Sequence, residues 1–217
     1  MVVEERSETP APQEVHHTIY SVANLITVLR LLLVPFFFAV LVDGDSERSR
    51  LVAFIIYAIA GSTDWIDGQI ARRTNTVTQL GKIIDPLVDR LLLASGVVGL
   101  YLIGVLPLWI PIVLVCRDLY LLYGSYVLER HKILLPVSYV GKVTTAVLLV
   151  GFSLLIAGWP TAAGLGVSSV MWLPGLGDQA APIGIWFVYV GMVLSLSAAA
   201  NYTLAAYRAL AAARSHG

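Results

Sequence analysis

Six apolar segments dominate this chain, and each is long enough to cross the ~30 Å hydrocarbon core of a bilayer as a helix. They run over about residues 21–42, 50–72, 78–103, 106–128, 138–159 and 181–210. The fold class they predict is all-α: a polytopic membrane protein with six transmembrane helices. Composition agrees, because 58% of the 217 residues are hydrophobic and only 13% are charged, about half the charged share of a soluble domain. The net charge of zero gives no sign of a basic nucleic-acid surface. The single cysteine, Cys116, excludes a disulfide within the chain and makes a thiolate metal site untenable.

The first 19 residues are polar and acidic, with Glu4, Glu5, Glu8, Glu14, Pro10 and Pro12. They lack the basic and apolar pattern of a signal peptide and are expected to form a disordered lead-in. Residues 20–217 then make one membrane domain. Basic residues orient it. Arg72, Arg73, Lys82, Arg130, Lys132, Lys142, Arg208 and Arg214 fall on one face, whereas Arg48 and Arg50 stand alone on the other beside Asp43, Asp45 and Glu47. Positive residues favour the cytoplasm, so both termini are expected there, in a protein integral to the cell membrane. The 160–180 stretch reads as a Gly- and Pro-containing loop without Lys or Arg.

Against so apolar a background, four aspartates stand out: Asp64, Asp67, Asp85 and Asp89. A carboxylate near the membrane interior is costly and usually pairs or binds an ion. Spacings of three and four residues keep each pair on one side of its helix. The short link between the second and third segments lets the two helices fold into an antiparallel pair, with the active centre expected at the cytoplasmic boundary. Four acids brought together repel one another unless cations intervene. Hard oxygen ligands suit Mg²⁺, Mn²⁺ or Ca²⁺, with Mg²⁺ or Mn²⁺ the ions expected, and two ions can clamp the oxygens of a phosphoryl group. Gly68, Ala71 and Gly81 leave space for a ligand, and Arg72 offers a fork for phosphate oxygens.

These residues resemble the signature of the CDP-alcohol phosphatidyltransferases, Asp-x2-Asp-Gly-x2-Ala-Arg-x8-Gly-x3-Asp-x3-Asp. Every specified position is matched by Asp64, Asp67, Gly68, Ala71, Arg72, Gly81, Asp85 and Asp89. The resemblance implies that Asp64, Asp67 and Asp85 bind divalent metal, and that Asp89 contacts metal and acts as general base. It implies CDP-diacylglycerol as donor, a homodimer, and a nucleotide and diphosphate pocket lined by Gly68, Ala71, Arg72, Thr78 and Gly81. Asn24, Thr27 and Arg30 are similar to a second family motif near the donor. Read alone, Asn24 equally fits a helix cap and Arg30 a snorkelling anchor.

Arg117, next to Asp118 within the fourth segment, and Lys142 at the start of the fifth match family positions for a phosphate-bearing alcohol acceptor. For Arg117 an ion pair with Asp118 is the competing reading. The acceptor expected is glycerol 3-phosphate, which makes the reaction that of a CDP-diacylglycerol–glycerol-3-phosphate 3-phosphatidyltransferase; the alternative is phosphatidylglycerol, as in a cardiolipin synthase. From a different class, an ion-coupled transporter would also place acids in membrane helices, but the sequence carries neither an inverted repeat nor paired broken helices.

Overall fold

The computed structural model describes residues 22–44, 46–74, 79–130, 139–167 and 172–215, with side chains described at 27–44, 46–63, 87–130, 139–167, 172–209 and 211. The expected lead-in over 1–19 lies outside the described residues. Six helices follow in order: α1 (Val22–Asp43), α2 (Glu47–Thr74), α3 (Gln79–Leu102), α4 (Trp109–Arg130), α5 (Tyr139–Ala157) and α6 (Gly184–Ser215). Three of them, α4, α5 and α6, are long and apolar enough to cross a membrane among the described residues.

Local chemistry sets the helix ends. The Ser46 hydroxyl accepts the Ser49 backbone N–H at 3.1 Å, an N-cap that starts α2. Gly104, at a φ of 74°, closes α3, and the Val105 and Leu106 N–H groups return to the Leu100 carbonyl in the manner of a glycine C-cap. Gly158 (φ 71°) closes α5 likewise. That end is also held from outside: Arg50, in the first turn of α2, donates through Nε to the Ile156 carbonyl at 3.3 Å and through Nη2 to the Leu155 carbonyl at 3.2 Å. A cation on the last carbonyls of a helix satisfies acceptors that have no partner within it.

The helices alternate in direction. The ends of α1, α3 and α5 share one end of the bundle with the starts of α2, α4 and α6, and the start of α1 and the end of α6 share the other. α5 and α6 pack most closely, because glycines line their crossing. A Cβ at Gly184 would lie 2.5 Å from the Gly151 carbonyl oxygen, and one at Gly191 would lie 2.7 Å from Leu148 Cδ2. Small residues of this kind let membrane helices approach backbone to backbone. The core runs through Phe37, Leu41, Tyr57, Leu100, Phe152, Ile156, Ile185 and Val188. Apolar residues such as Leu29, Leu32, Phe36, Val190 and Val193 face outward, as lipid contact requires.

The described parts of the 160–180 stretch, 160–167 and 172–180, carry more structure than a plain loop. Thr161–Ala162 (β1) pairs antiparallel with Ala181–Pro182 (β2), in the register Thr161↔Pro182. Within the hairpin so formed, the Leu165 N–H reaches the Gly175 carbonyl and the Val167 N–H reaches Leu176. The ribbon is anchored on the helices by an aromatic group. Trp109 Nε1 donates to the Trp172 carbonyl at 2.8 Å, the Tyr189 hydroxyl donates to the Pro174 carbonyl at 2.9 Å, and Trp186 meets Tyr189 edge to face. Two-residue strands 20 positions apart carry no alternation for a sequence reading to detect.

Candidate active site

The relative height of α2 and α3 fixes where their acids sit. A Cβ on Gly96 would come within 2.6 Å of the Tyr57 hydroxyl oxygen, so these two positions face each other. Tyr57 stands 17 residues before the end of α2 at Thr74, and Gly96 stands 17 residues after the start of α3 at Gln79. The two helices are therefore antiparallel and in register. Asp64 is ten residues before Thr74 and Asp89 ten after Gln79, which puts them at one height. Asp67 and Asp85, seven and six residues from the same ends, share the next level.

Helical phase agrees. Asp64 follows Tyr57 by seven residues, and Asp89 and Asp85 precede Gly96 by seven and eleven. At ~100° per residue, both spacings return to within ~20° of the starting direction. Three of the four positions thus lie on the sides of α2 and α3 that Tyr57 and Gly96 turn toward each other; Asp67 is ~80° further round. The side chains of Asp64, Asp67 and Asp85, like those of Asn24, Gly68, Ala71, Arg72 and Gly81, lie outside the described residues, as does Thr78 altogether.

Asp89 is described, and Arg30 is one of its partners. Arg30 Nη1 donates to Asp89 Oδ1 at 2.7 Å. The arginine is buried to 1% exposure, whereas the aspartate keeps 32%. Arg30 therefore points into the bundle rather than outward to a membrane surface. Thr27, one turn earlier on α1, is buried beside it. The two helices run parallel here: Arg30 meets Asp89, and eleven residues on Leu41 packs where a Cβ on Gly99 would stand, 2.6 Å from its Cδ2.

A second polar place lies deeper, between α3, α4, α5 and α6. A cavity of about 40 Å³ is lined by apolar residues of α3 and α4 and by Arg117, Asp118, Thr144, Thr145 and Ser195. Arg117 Nη1 donates to Asp118 Oδ1 at 2.7 Å, and its Nε to the Ser195 carbonyl at 3.3 Å. The Asp118 pairing that competed with an acceptor role is thus present. Lys142 is exposed in the first turn of α5 and does not line this cavity, so the two expected acceptor residues are not brought together there. Ser195 went unnoticed in the sequence. Its hydroxyl is buried with no hydrogen-bond partner among the described residues, and a serine in an apolar helix carries no spacing signal.

Four carboxylate residues at nearby heights on two helices are of the type that could hold hard divalent cations. Among the described residues no three His, Cys, Asp or Glu cluster; three of the four acids fall outside that set.

Comparison with known proteins follows the same lines. Residues 20–197 match the CDP-alcohol phosphatidyltransferase family. The probable phosphatidylglycerophosphate synthase of Mycobacterium tuberculosis is 34% identical over 155 residues, covering 70% of this chain and 73% of that protein. The cardiolipin synthase (CMP-forming) of Streptomyces coelicolor is 34% identical over 148 residues, 65% of this chain and 69% of its own. The CDP-diacylglycerol–glycerol-3-phosphate 3-phosphatidyltransferase of Bacillus subtilis is 29% identical, over 63% of this chain and 77% of its own.

Proposed function

This chain belongs to the CDP-alcohol phosphatidyltransferases and is a transferase of phospholipid synthesis; on that premise we propose that it transfers the phosphatidyl group of CDP-diacylglycerol to glycerol 3-phosphate, with release of CMP. The observation that carries the reading is the matched height of the aspartate positions on two antiparallel helices. A family of transferases also leaves no place for the ion-coupled transporter.

Asp64, Asp67 and Asp85 would hold the divalent ions, Mg²⁺ or Mn²⁺ and two in number, and Asp89 would also contact metal. Bound there, such ions would supply positive charge to offset the diphosphate and the leaving oxygen. The rest is done by side chains and backbone. Asp89 accepts the proton of the acceptor hydroxyl. The acceptor oxygen bonds to the β-phosphorus as that phosphorus releases the oxygen linking it to CMP. Gly68, Ala71 and Gly81 leave room for the nucleotide, with Arg72, Thr78, Asn24 and Thr27 around it, and Arg72 gives donors to phosphate oxygens. The acids face the cytoplasmic side of the cell membrane, where the basic residues gather, all six helices cross, and the working unit is a homodimer.

Phosphatidylglycerol is the second reading for the acceptor. The Streptomyces coelicolor relative supports it, and so does Arg117, whose charge is already met by Asp118 and is less available to a phosphate. The test is a competition in detergent, with CDP-diacylglycerol and Mg²⁺ or Mn²⁺ and equal glycerol 3-phosphate and phosphatidylglycerol, the product lipids being weighed. Phosphatidylglycerophosphate as the dominant product is expected. Cardiolipin as the dominant product would hand the role to the second reading, and no CMP release with any alcohol would end both.

A further inference from the structure

We propose that Arg30 is a positioning residue for Asp89: its guanidinium fixes the direction of that carboxylate instead of binding the donor lipid. The inference rests on the reading of Asp89 as the proton acceptor.

The pair has an unusual distribution of burial. Arg30 is 1% exposed and Asp89 32%, with 2.7 Å between Nη1 and Oδ1. The carboxylate is gripped from inside the bundle and stays reachable from the open side. An arginine whose work was to hold a diphosphate would need its fork turned toward that opening. Here the head is enclosed, on a helix parallel to the one that carries Asp89.

A purely structural ion pair is the competing explanation, and packing weakens it. α1 and α3 already interlock through apolar contact, with Leu41 and Phe38 against the space above Gly99. A buried ion pair gives little or no net stability over apolar residues of the same size. What it does give is a fixed direction for one oxygen of the carboxylate, held from the inner side at 2.7 Å. That matters where a proton must be taken from a defined direction, because misplacement of the accepting group by ~1 Å costs ~100-fold in rate.

The test uses the full chain in detergent, with Arg30→Gln, Arg30→Lys, Asp89→Asn and the double variant Arg30→Gln/Asp89→Asn. Two quantities are read: steady-state kinetics against CDP-diacylglycerol, and Mn²⁺ affinity by electron paramagnetic resonance without any lipid substrate. Positioning predicts that Arg30→Gln lowers kcat by ~30-fold or more while the KM for the donor moves less than ~3-fold. It also predicts a change of at least ~5-fold in Mn²⁺ affinity that disappears when Asp89 is already Asn, the signature of two residues acting through one contact. Arg30→Lys restores part of the kcat. Should Arg30→Gln fail to fold, Arg30→Lys alone carries the same comparison, with a smaller kcat loss and an unchanged KM. A raised donor KM at constant kcat would overturn the proposal, as would an Arg30 effect on Mn²⁺ affinity that persists in the Asp89→Asn background. Wild-type turnover by Asp89→Asn alone would instead remove Asp89 as the proton acceptor.

Discussion

Two arginines inside the bundle, Arg30 and Arg50, do different work at opposite ends. Arg50 ends on main-chain oxygens, the Leu155 and Ile156 carbonyls of α5. Those carbonyls are left over when any helix stops, and any nearby cation could serve them. Arg30 ends on a side-chain carboxylate at the height of the Asp64 position and about one turn from those of Asp67 and Asp85. The first closes a helix; the second, on the proposed reading, holds the proton-accepting group. A buried charge in a membrane protein is thus read from what it meets. Backbone partners mark architecture, and side-chain partners within a cluster of acids mark chemistry.

The comparison breaks most sharply if activity and stability fail to separate. Asp85→Asn, on the α3 side that faces α2, should lower turnover by ~10³-fold or more, with a melting temperature within ~3 °C of the parent in detergent. A large loss of stability with residual turnover would return the acids to architecture. Arg50→Met should do the reverse. It takes the arginine donor from the Ile156 carbonyl and leaves the Leu155 carbonyl with the Gly158 N–H, at about 1 kcal/mol, read as a drop in melting temperature with kcat/KM of the folded enzyme unchanged. The smallest effect belongs to Tyr57, whose buried hydroxyl has no hydrogen-bond partner among the described residues. Tyr57→Phe should be neutral or stabilising by up to ~1 kcal/mol, and a clear loss of stability in thermal unfolding would mean that the hydroxyl has a partner after all.

Much of this was legible in the sequence. Helix limits read from apolar runs fall within a few residues of those found: 50–72 against Glu47–Thr74, and 78–103 against Gln79–Leu102. Long runs ended by charges and glycines are the strongest periodic signal a chain offers. The aspartate spacing was equally plain. What stayed hidden depended on partners distant along the chain. Arg50 read as a residue bearing only on topology, because nothing marks a contact 106 positions away. The burial of Arg30 could not be told from snorkelling, since both need only an arginine in an apolar helix. The β1–β2 ribbon and the Ser195 hydroxyl had no pattern at all.

The central claim is that α2 and α3 each supply acids to one divalent-ion centre. Mn²⁺ titration of the purified protein by electron paramagnetic resonance, on the parent, Asp64→Asn and Asp89→Asn, tests it most directly. One substitution on each helix should weaken the same bound Mn²⁺ by ~10-fold or more and alter the same spectrum. Contradiction would be Mn²⁺ binding that is lost with one helix's aspartate and untouched by the other's.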